Sequence, residues 1–224
     1  MEKCLVIFSG GQDSTTTARW AQEKFQSVVL LGFDYGQKHK IELTQAQLIA
    51  QKLHLPFHII KLDFLDQICQ SALFFNSTQN VNDTHLNNNA LPASFVPNRN
   101  AIFITLAHSF AQKIGANHLA LGVSEQDYSG YPDCRKVFID SIEKTLNLSS
   151  QTHITIHTPL IAMSKAKEFA LAKELGILEI ILEDTHTCYE GIREKKHPWG
   201  YGCGICNACI LRKNAYESFL LQNA

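Results

Sequence analysis

Five short apolar runs, each followed by a stretch with helical spacing, constrain this chain more than any other feature. They fall at 4–8 (CLVIF), 27–34 (SVVLLGFD), 57–62, 118–122 (HLALG) and 154–157, and they are largely apolar along their length instead of alternating with polar residues. A strand that is apolar on both sides must be covered on both sides. The segments at 14–24, 41–53, 63–73, 99–114, 136–146 and 165–175 carry apolar residues at helical spacing and can supply that cover. The expected class is therefore α/β, with a doubly wound parallel sheet in one main core, which 224 residues at 45% hydrophobic content can close. Such sheets bind ligands at the carboxyl ends of their strands, which points to the loops at 9–13, 35–40 and 123–135.

The first of these loops interrupts an apolar run with IFSGGQDST at residues 7–15. Gly10 and Gly11 let the backbone approach an anion, and the helix that follows offers open N–H groups and a positive dipole end. Ser9, Ser14 and Thr15 add hydroxyl donors. The spacing is neither a Walker A loop nor a dinucleotide fingerprint.

Bulk properties narrow the partners. A formal charge of −1 lacks the basic footprint of a protein that relies on phosphate backbones, so stable nucleic-acid binding is not expected. The apolar stretch at 4–8 is too short for a secretory core or a membrane span, and a cytoplasmic protein is expected. Residues 74–98 are rich in asparagine, with prolines at 92 and 97, and read as a long mobile loop, a candidate lid.

Seven cysteines in a reducing compartment suggest metal or thiol chemistry before disulfides. Cys188 precedes the CGICNAC run that carries Cys203, Cys206 and Cys209, followed by a helix near 207–221. Four thiolates in this arrangement suit a closed tetrahedral zinc site that stabilises a tail too short to build its own core. An iron–sulfur cluster is the rival, but the further cysteine and proline of the bacterial ferredoxin run are absent, with Lys213 and Asn214 in that region. His186 or His197 can replace Cys188 as a ligand. Cys4 and Cys69 read as core residues, and Cys134, in a polar loop, as a candidate reactive thiol.

The string SGGQDS resembles the pyrophosphate loop of the N-type ATP pyrophosphatases, which cleave ATP to AMP and pyrophosphate while adenylating a substrate. That resemblance implies that Ser9, Gly10, Gly11 and Ser14 hold the departing pyrophosphate and that Asp13 helps position Mg2+, within a nucleotide-binding stretch of Phe8, Ser9, Gly10, Gly11, Gln12, Asp13, Ser14, Thr15, Thr16, Thr17 and Ala18. Taken with DYGQKH at 34–39, VPNRN at 96–100, DYSGYPDCR at 127–135 and CGICNAC, essentially the whole chain resembles the 7-cyano-7-deazaguanine synthases of the queuosine pathway. The resemblance implies a Rossmann-like, adenine nucleotide alpha hydrolase type of fold, with 1–184 as a nucleotide-binding domain and 185–224 as a zinc-binding subdomain packed on it. It further implies an ATP-dependent ligase that joins 7-carboxy-7-deazaguanine and ammonia into an amide and then a nitrile, with one zinc per subunit, generally as a homodimer. Within this frame Asp13, Ser14, Lys165 and Arg99 form the expected catalytic set, with Lys165 neutralising charge at phosphorus. Asp127 or Asp133 is expected to accept from the guanine-like N–H edge, with Ser129 beside them. Tyr128 or Tyr131 would stack on the ring, and Arg135 or Arg99 would bind a carboxylate or phosphate.

Three positions depart from the family pattern. Asn98 stands where glycine is usual and tolerates a left-handed backbone better than most residues. Lys38 replaces an arginine, which weakens bidentate anion contact there. His186-Thr187 replaces Trp-Ser before Cys188. Two other functions compete: a tRNA thiolase, for which Cys134 is the remaining sulfur carrier, and a non-catalytic zinc module that binds nucleic acid or protein.

Overall fold

A computed structural model describes residues 2–69, 71–75, 77–78, 83–85, 88–125 and 131–222. The chain runs through β1 (Lys3–Ile7), α1 (Gln12–Lys24), β2 (Ser27–Asp34), α2 (Ile41–Lys52), β3 (Phe57–Lys61) and α3 (Leu65–Ile68). It continues through β4 (Thr84–His85), β5 (Asn88–Pro92), α4 (Arg99–Ile114), β6 (His118–Leu121), α5 (Lys136–Ser150) and β7 (Thr155–His157). The final part holds α6 (Lys165–Glu174), α7 (Leu178–Glu183), β8 (Lys196–His197), β9 (Gly200–Tyr201) and α8 (Asn207–Gln222).

The five apolar runs form one parallel sheet in the order β3-β2-β1-β6-β7. The chain winds outward from β1 through β2 and β3, then returns to the other side of β1 as β6 and β7. This reversal creates a switch point between β1 and β6, where the flanking loops diverge and leave a crevice. Because side chains alternate along a strand, β1 sends Cys4 and Val6 to one face and Leu5 to the other. Cys4, Val6 and, just beyond the strand, Phe8 join a core with Ala18, Ile49, Phe169 and Phe219, whereas Leu5 joins Leu31, Phe33, Ile104 and Ile139. Both faces are covered, as the continuous apolar pattern requires.

Between the sheet's third and fourth strands the structure corrects the sequence reading. The helix expected at 63–73 contracts to α3, because the following backbone finds distant partners: the Ala72 amide donates to the Ala93 carbonyl at 2.8 Å and the Lys38 amide to the Leu73 carbonyl at 2.8 Å. Within 74–98 the described residues include an antiparallel pair, β4 with β5, instead of wholly irregular backbone. Asn98 has φ of 59° and precedes α4, so the left-handed turn expected of it is present.

The C-terminal helix α8 lies on α6, with Phe219 and Tyr216 ring centroids 5.9 Å and 5.3 Å from Phe169. No described helix is long and apolar enough to cross a membrane.

Candidate active site and cysteine centre

The loop between β1 and α1 is fixed by close backbone packing. Gly10 has φ of 78°, and a Cβ there would lie 2.7 Å from the Ala46 backbone in α2. Gly122, at the end of β6, faces the same loop: its Cβ would meet the Asp13 carbonyl at 2.7 Å. Side chains complete the turn. The Ser9 amide donates to Ser14 Oγ at 3.2 Å, Ser14 Oγ donates to the Gly11 carbonyl at 3.2 Å, and the Gly11 amide donates to Ser9 Oγ at 3.4 Å. Gly11 caps α1 without a side-chain hydrogen bond of its own. The loop's shape is therefore set by the fold, at the N-terminus of α1 where backbone amides can receive an anion.

It opens into a cavity of about 840 Å³ at the switch point. Phe8, Ser9, Gly11, Gln12, Asp13 and Ser14 line one side, while Thr15, Thr16, Thr17 and Ala18 are buried along α1 behind them. Lys165, from the start of α6, reaches Asp13 Oδ2 at 2.5 Å and the buried Glu168 Oε2 at 3.1 Å. Ser164 caps α6, its Oγ accepting from the Lys167 amide, which sets the direction in which Lys165 leaves the helix. Lys165 thereby brings a cationic side chain to the edge of the loop.

The opposite side is aromatic and charged. Phe33 stacks on Phe103 at 4.3 Å, and Tyr35 lies 5.6 Å from Phe103. Arg99 lines the cavity from the first residue of α4. Burial works against its charge, but Tyr35, Tyr131, Asp133 and Cys134 outweigh that and hold the guanidinium firmly protonated. Tyr131 reaches the cavity and shares a 2.9 Å hydrogen bond with Ser94. Gln12 Nε2, His39 Nε2 and His186 Nδ1, all on cavity-lining residues, are buried without a hydrogen-bond partner among the described residues.

Not every expected substrate residue is on the cavity wall. Asp133 Oδ2 accepts from the Asn100 amide at 3.0 Å and so holds the start of α4, and Arg135 is exposed at the start of α5. Asp127, Tyr128 and Ser129 lie outside the described residues. Cys134 lines the cavity and its sulfur accepts from Asn100 Nδ2 at 3.4 Å. One cavity carboxylate was not anticipated: Glu42, in the first turn of α2. Burial pushes it up to about 7, with Arg99 pulling the other way. Arg212 of α8 also reaches the cavity; it donates through Nε to the Trp199 carbonyl at 2.8 Å and through a terminal nitrogen to Thr187 Oγ1 at 3.3 Å.

The tail brings Cys188, Cys203, Cys206 and Cys209 together, with all four sulfurs within 4.8 Å of one another. Cys203 and Cys209 sulfurs lie 3.8 Å apart, about the edge of a tetrahedron with metal–sulfur bonds of ~2.3 Å. The Cys203 amide donates to Cys188 Sγ at 3.3 Å, and the Cys206 amide to Cys203 Sγ at 3.2 Å. Hydrogen bonds from the Cys206 and Cys209 thiols draw Cys188 well below the ordinary thiol range. This donor set can hold a metal ion. His186 is not part of it: its Nε2 pairs with the Cys188 carbonyl at 3.1 Å. His197 instead stacks on Trp199 at 4.4 Å.

A parallel sheet with a glycine-rich loop after its first strand, and a largely apolar cavity carrying a few charged groups at its switch point, defines an α/β enzyme of the nucleotide-binding kind. Two solved structures share the fold at low identity: a 4-thiouridine synthetase–RNA complex with bound ATP (TM-score 0.52, 17% identity, 97% of this chain and 54% of that one) and the NMN synthetase from Francisella tularensis (TM-score 0.52, 17%, 87% and 70%). The chain belongs to the family described as queuosine biosynthesis protein QueC, whose profile matches residues 3–220. Similar proteins named 7-cyano-7-deazaguanine synthase occur in Helicobacter acinonychis (60% identity, 97% of both chains), Wolinella succinogenes (51%, 96% of this chain and 92% of the relative) and Lysinibacillus sphaericus (43%, 98% and 96%).

Proposed function

We propose that this protein is an ATP-dependent carbon–nitrogen ligase that converts 7-carboxy-7-deazaguanine and ammonia to 7-cyano-7-deazaguanine, through adenylated acid and amide intermediates. The observation that carries the reading is the preformed Ser9–Ser14 loop with its Asp13–Lys165 pair, opening into the same cavity as Arg99. A carboxylate is a poor electrophile because its oxygen leaves badly. Adenylation makes that oxygen part of a phosphate ester, which leaves readily. Losing the amide oxygen to form a nitrile poses the same problem, so one activating site serves both stages.

In this reading the loop amides and the Ser9 and Ser14 hydroxyls receive the departing pyrophosphate, and Lys165 offsets negative charge as it develops at phosphorus. Asp13 would hold Mg2+ on the nucleotide, which supplies further neutralisation of the leaving group. Arg99 is placed to bind the substrate carboxylate, and Tyr131, with Tyr128, to stack on the bicyclic ring. Asp127 and Ser129, with Asp133 and Arg135 supporting the same loop, complete the substrate contacts. Zinc is the metal proposed for Cys188, Cys203, Cys206 and Cys209; with four sulfur ligands its role is structural. The proposal includes a cytoplasmic homodimer, with 185–224 acting as a subdomain on the nucleotide-binding part.

The test combines purified protein with ATP, Mg2+, ammonium and 7-carboxy-7-deazaguanine, with mass spectrometry of the products. Amide followed by nitrile is the expected outcome; the absence of any ATP-dependent product across pH and salt conditions refutes the assignment. Sulfur-dependent turnover in place of ammonia-dependent turnover would indicate a thiolase instead.

A further inference from the structure

Asp13 and Glu42 are the two carboxylates that line the cavity among the described residues, and they are held in opposite ways. Asp13 is closed by Lys165 at 2.5 Å. Glu42 makes no hydrogen bond or close ion pair with any described residue. Its place is fixed by the phosphate loop itself. Glu42 and Ala46 lie four residues apart on one face of α2, about 6 Å between Cβ atoms, and Ala46 is the residue against which Gly10 packs. Glu42 thus lines the cavity one helical turn from the residue that floors the loop, near enough to Arg99 to feel its charge.

We propose that Glu42 is a catalytic residue of the nitrogen-transfer step, binding ammonium in the cavity and removing its proton so that ammonia can attack the adenylated carboxyl carbon. This inference rests on the adenylation reading above. The ammonium ion gives one proton to the Glu42 carboxylate. The nitrogen lone pair forms the carbon–nitrogen bond, and the bond from carbon to the phosphate-bearing oxygen breaks with its electron pair passing to AMP. The second proton lost by nitrogen leaves with the AMP phosphate, giving a neutral amide. A base that works at neutral pH is most effective when its own affinity for protons lies near that pH, and burial places Glu42 at about 7. Burial raises this value and Arg99 from α4 opposes it, while Tyr35, Lys38 and His39 from the preceding loop and Tyr131 from the loop before α5 line the same cavity.

The experiment compares two nucleophiles in wild-type and Glu42→Gln protein, with hydroxylamine as the one already unprotonated at neutral pH. Pyrophosphate release that depends on 7-carboxy-7-deazaguanine is measured alongside product formation. The expected result is a loss of about 100-fold or more in amide formation from ammonium, with hydroxylamine-supported turnover within about threefold of wild type. That second arm also reports that the variant is folded. An ammonium rate within about threefold of wild type overturns the inference. Equal impairment with both nucleophiles, or a raised KM for the acid with an unchanged nucleophile ratio, also overturns it and assigns Glu42 to substrate binding or structure. Wild-type protein that releases no acid-dependent pyrophosphate with either nucleophile refutes the adenylation reading itself.

Discussion

The phosphate loop and the cysteine centre are the two chemical sites of this molecule, and they are built by opposite means. The loop is held by its neighbours in the fold, with Gly10 against Ala46 and Gly122 against Asp13 leaving no space for a side chain. It can be fully formed before any nucleotide arrives. The cysteine centre sits on a two-stranded turn and the start of one helix, with a small apolar cluster of Trp199, Tyr189, Ile192, Ala208 and Tyr216 as support. Four sulfurs within 4.8 Å can share that space as thiolates only around a cation. Preorganisation thus comes from packing in one region and, in the proposed metal-bound centre, from an ion in the other. The two meet where the His186 amide approaches the Gly10 carbonyl at 3.4 Å, and where Arg212, anchored on the tail, lines the cavity.

The contrast predicts effects of graded size. Metal removal by chelation, or Cys206→Ser, is expected to cost on the order of 5 kcal/mol and to lower Tm by roughly 10–20 °C in calorimetry. An unchanged Tm would mean that the tail sustains itself and would remove the contrast. Lys165→Ala should reduce pyrophosphate-releasing turnover about 100- to 1,000-fold, and because it also takes a partner from the buried Glu168 carboxylate it should cost about 3–5 kcal/mol in urea unfolding. A loss of stability with little loss of rate would leave Lys165 a structural role alone. Gly10→Ala should destabilise by about 2–4 kcal/mol in urea unfolding, since both the left-handed backbone and the contact with Ala46 oppose a methyl group. The smallest effect concerns Glu42. Its folded-state value of about 7 lies above the ordinary carboxyl value of 4.5, so the folded state binds the proton more tightly than the unfolded one. Its stabilising contribution is complete below about pH 4.5 and is lost as pH rises through 7. Glu42→Gln should therefore raise Tm by a few degrees at pH 8 and leave it unchanged near pH 4.5, readable by a pH series of melts.

The central strands β2, β1 and β6 were legible as apolar runs because strands covered on both faces leave little room for polar alternation, whereas the edge strands β3 and β7 keep exposed residues. The loop SGGQDS was legible because glycine and hydroxyl positions follow from anion chemistry, and the cysteine set because four thiols in this spacing have few structural uses. What the sequence did not reveal depends on distant partners. The short α3 ends where Ala72 pairs with Ala93, a contact invisible to local periodicity. Six-residue α7 and the β8–β9 pair are too short for a periodic signal. Asp133 reads as a substrate carboxylate in a polar loop, yet it accepts from the start of α4. Glu42 was overlooked for the opposite reason: an acidic residue in the first helical turn next to lysines resembles an ordinary solvated helix start, and only the fold turns it into a cavity.

The most direct test of the account is the stoichiometry of nucleotide consumption per nitrile formed. Activation of both the acid and the amide at one loop predicts two AMP and two pyrophosphate for each 7-cyano-7-deazaguanine, with one ammonia consumed. Formation of ADP and phosphate, or nitrile with a single AMP, would contradict it.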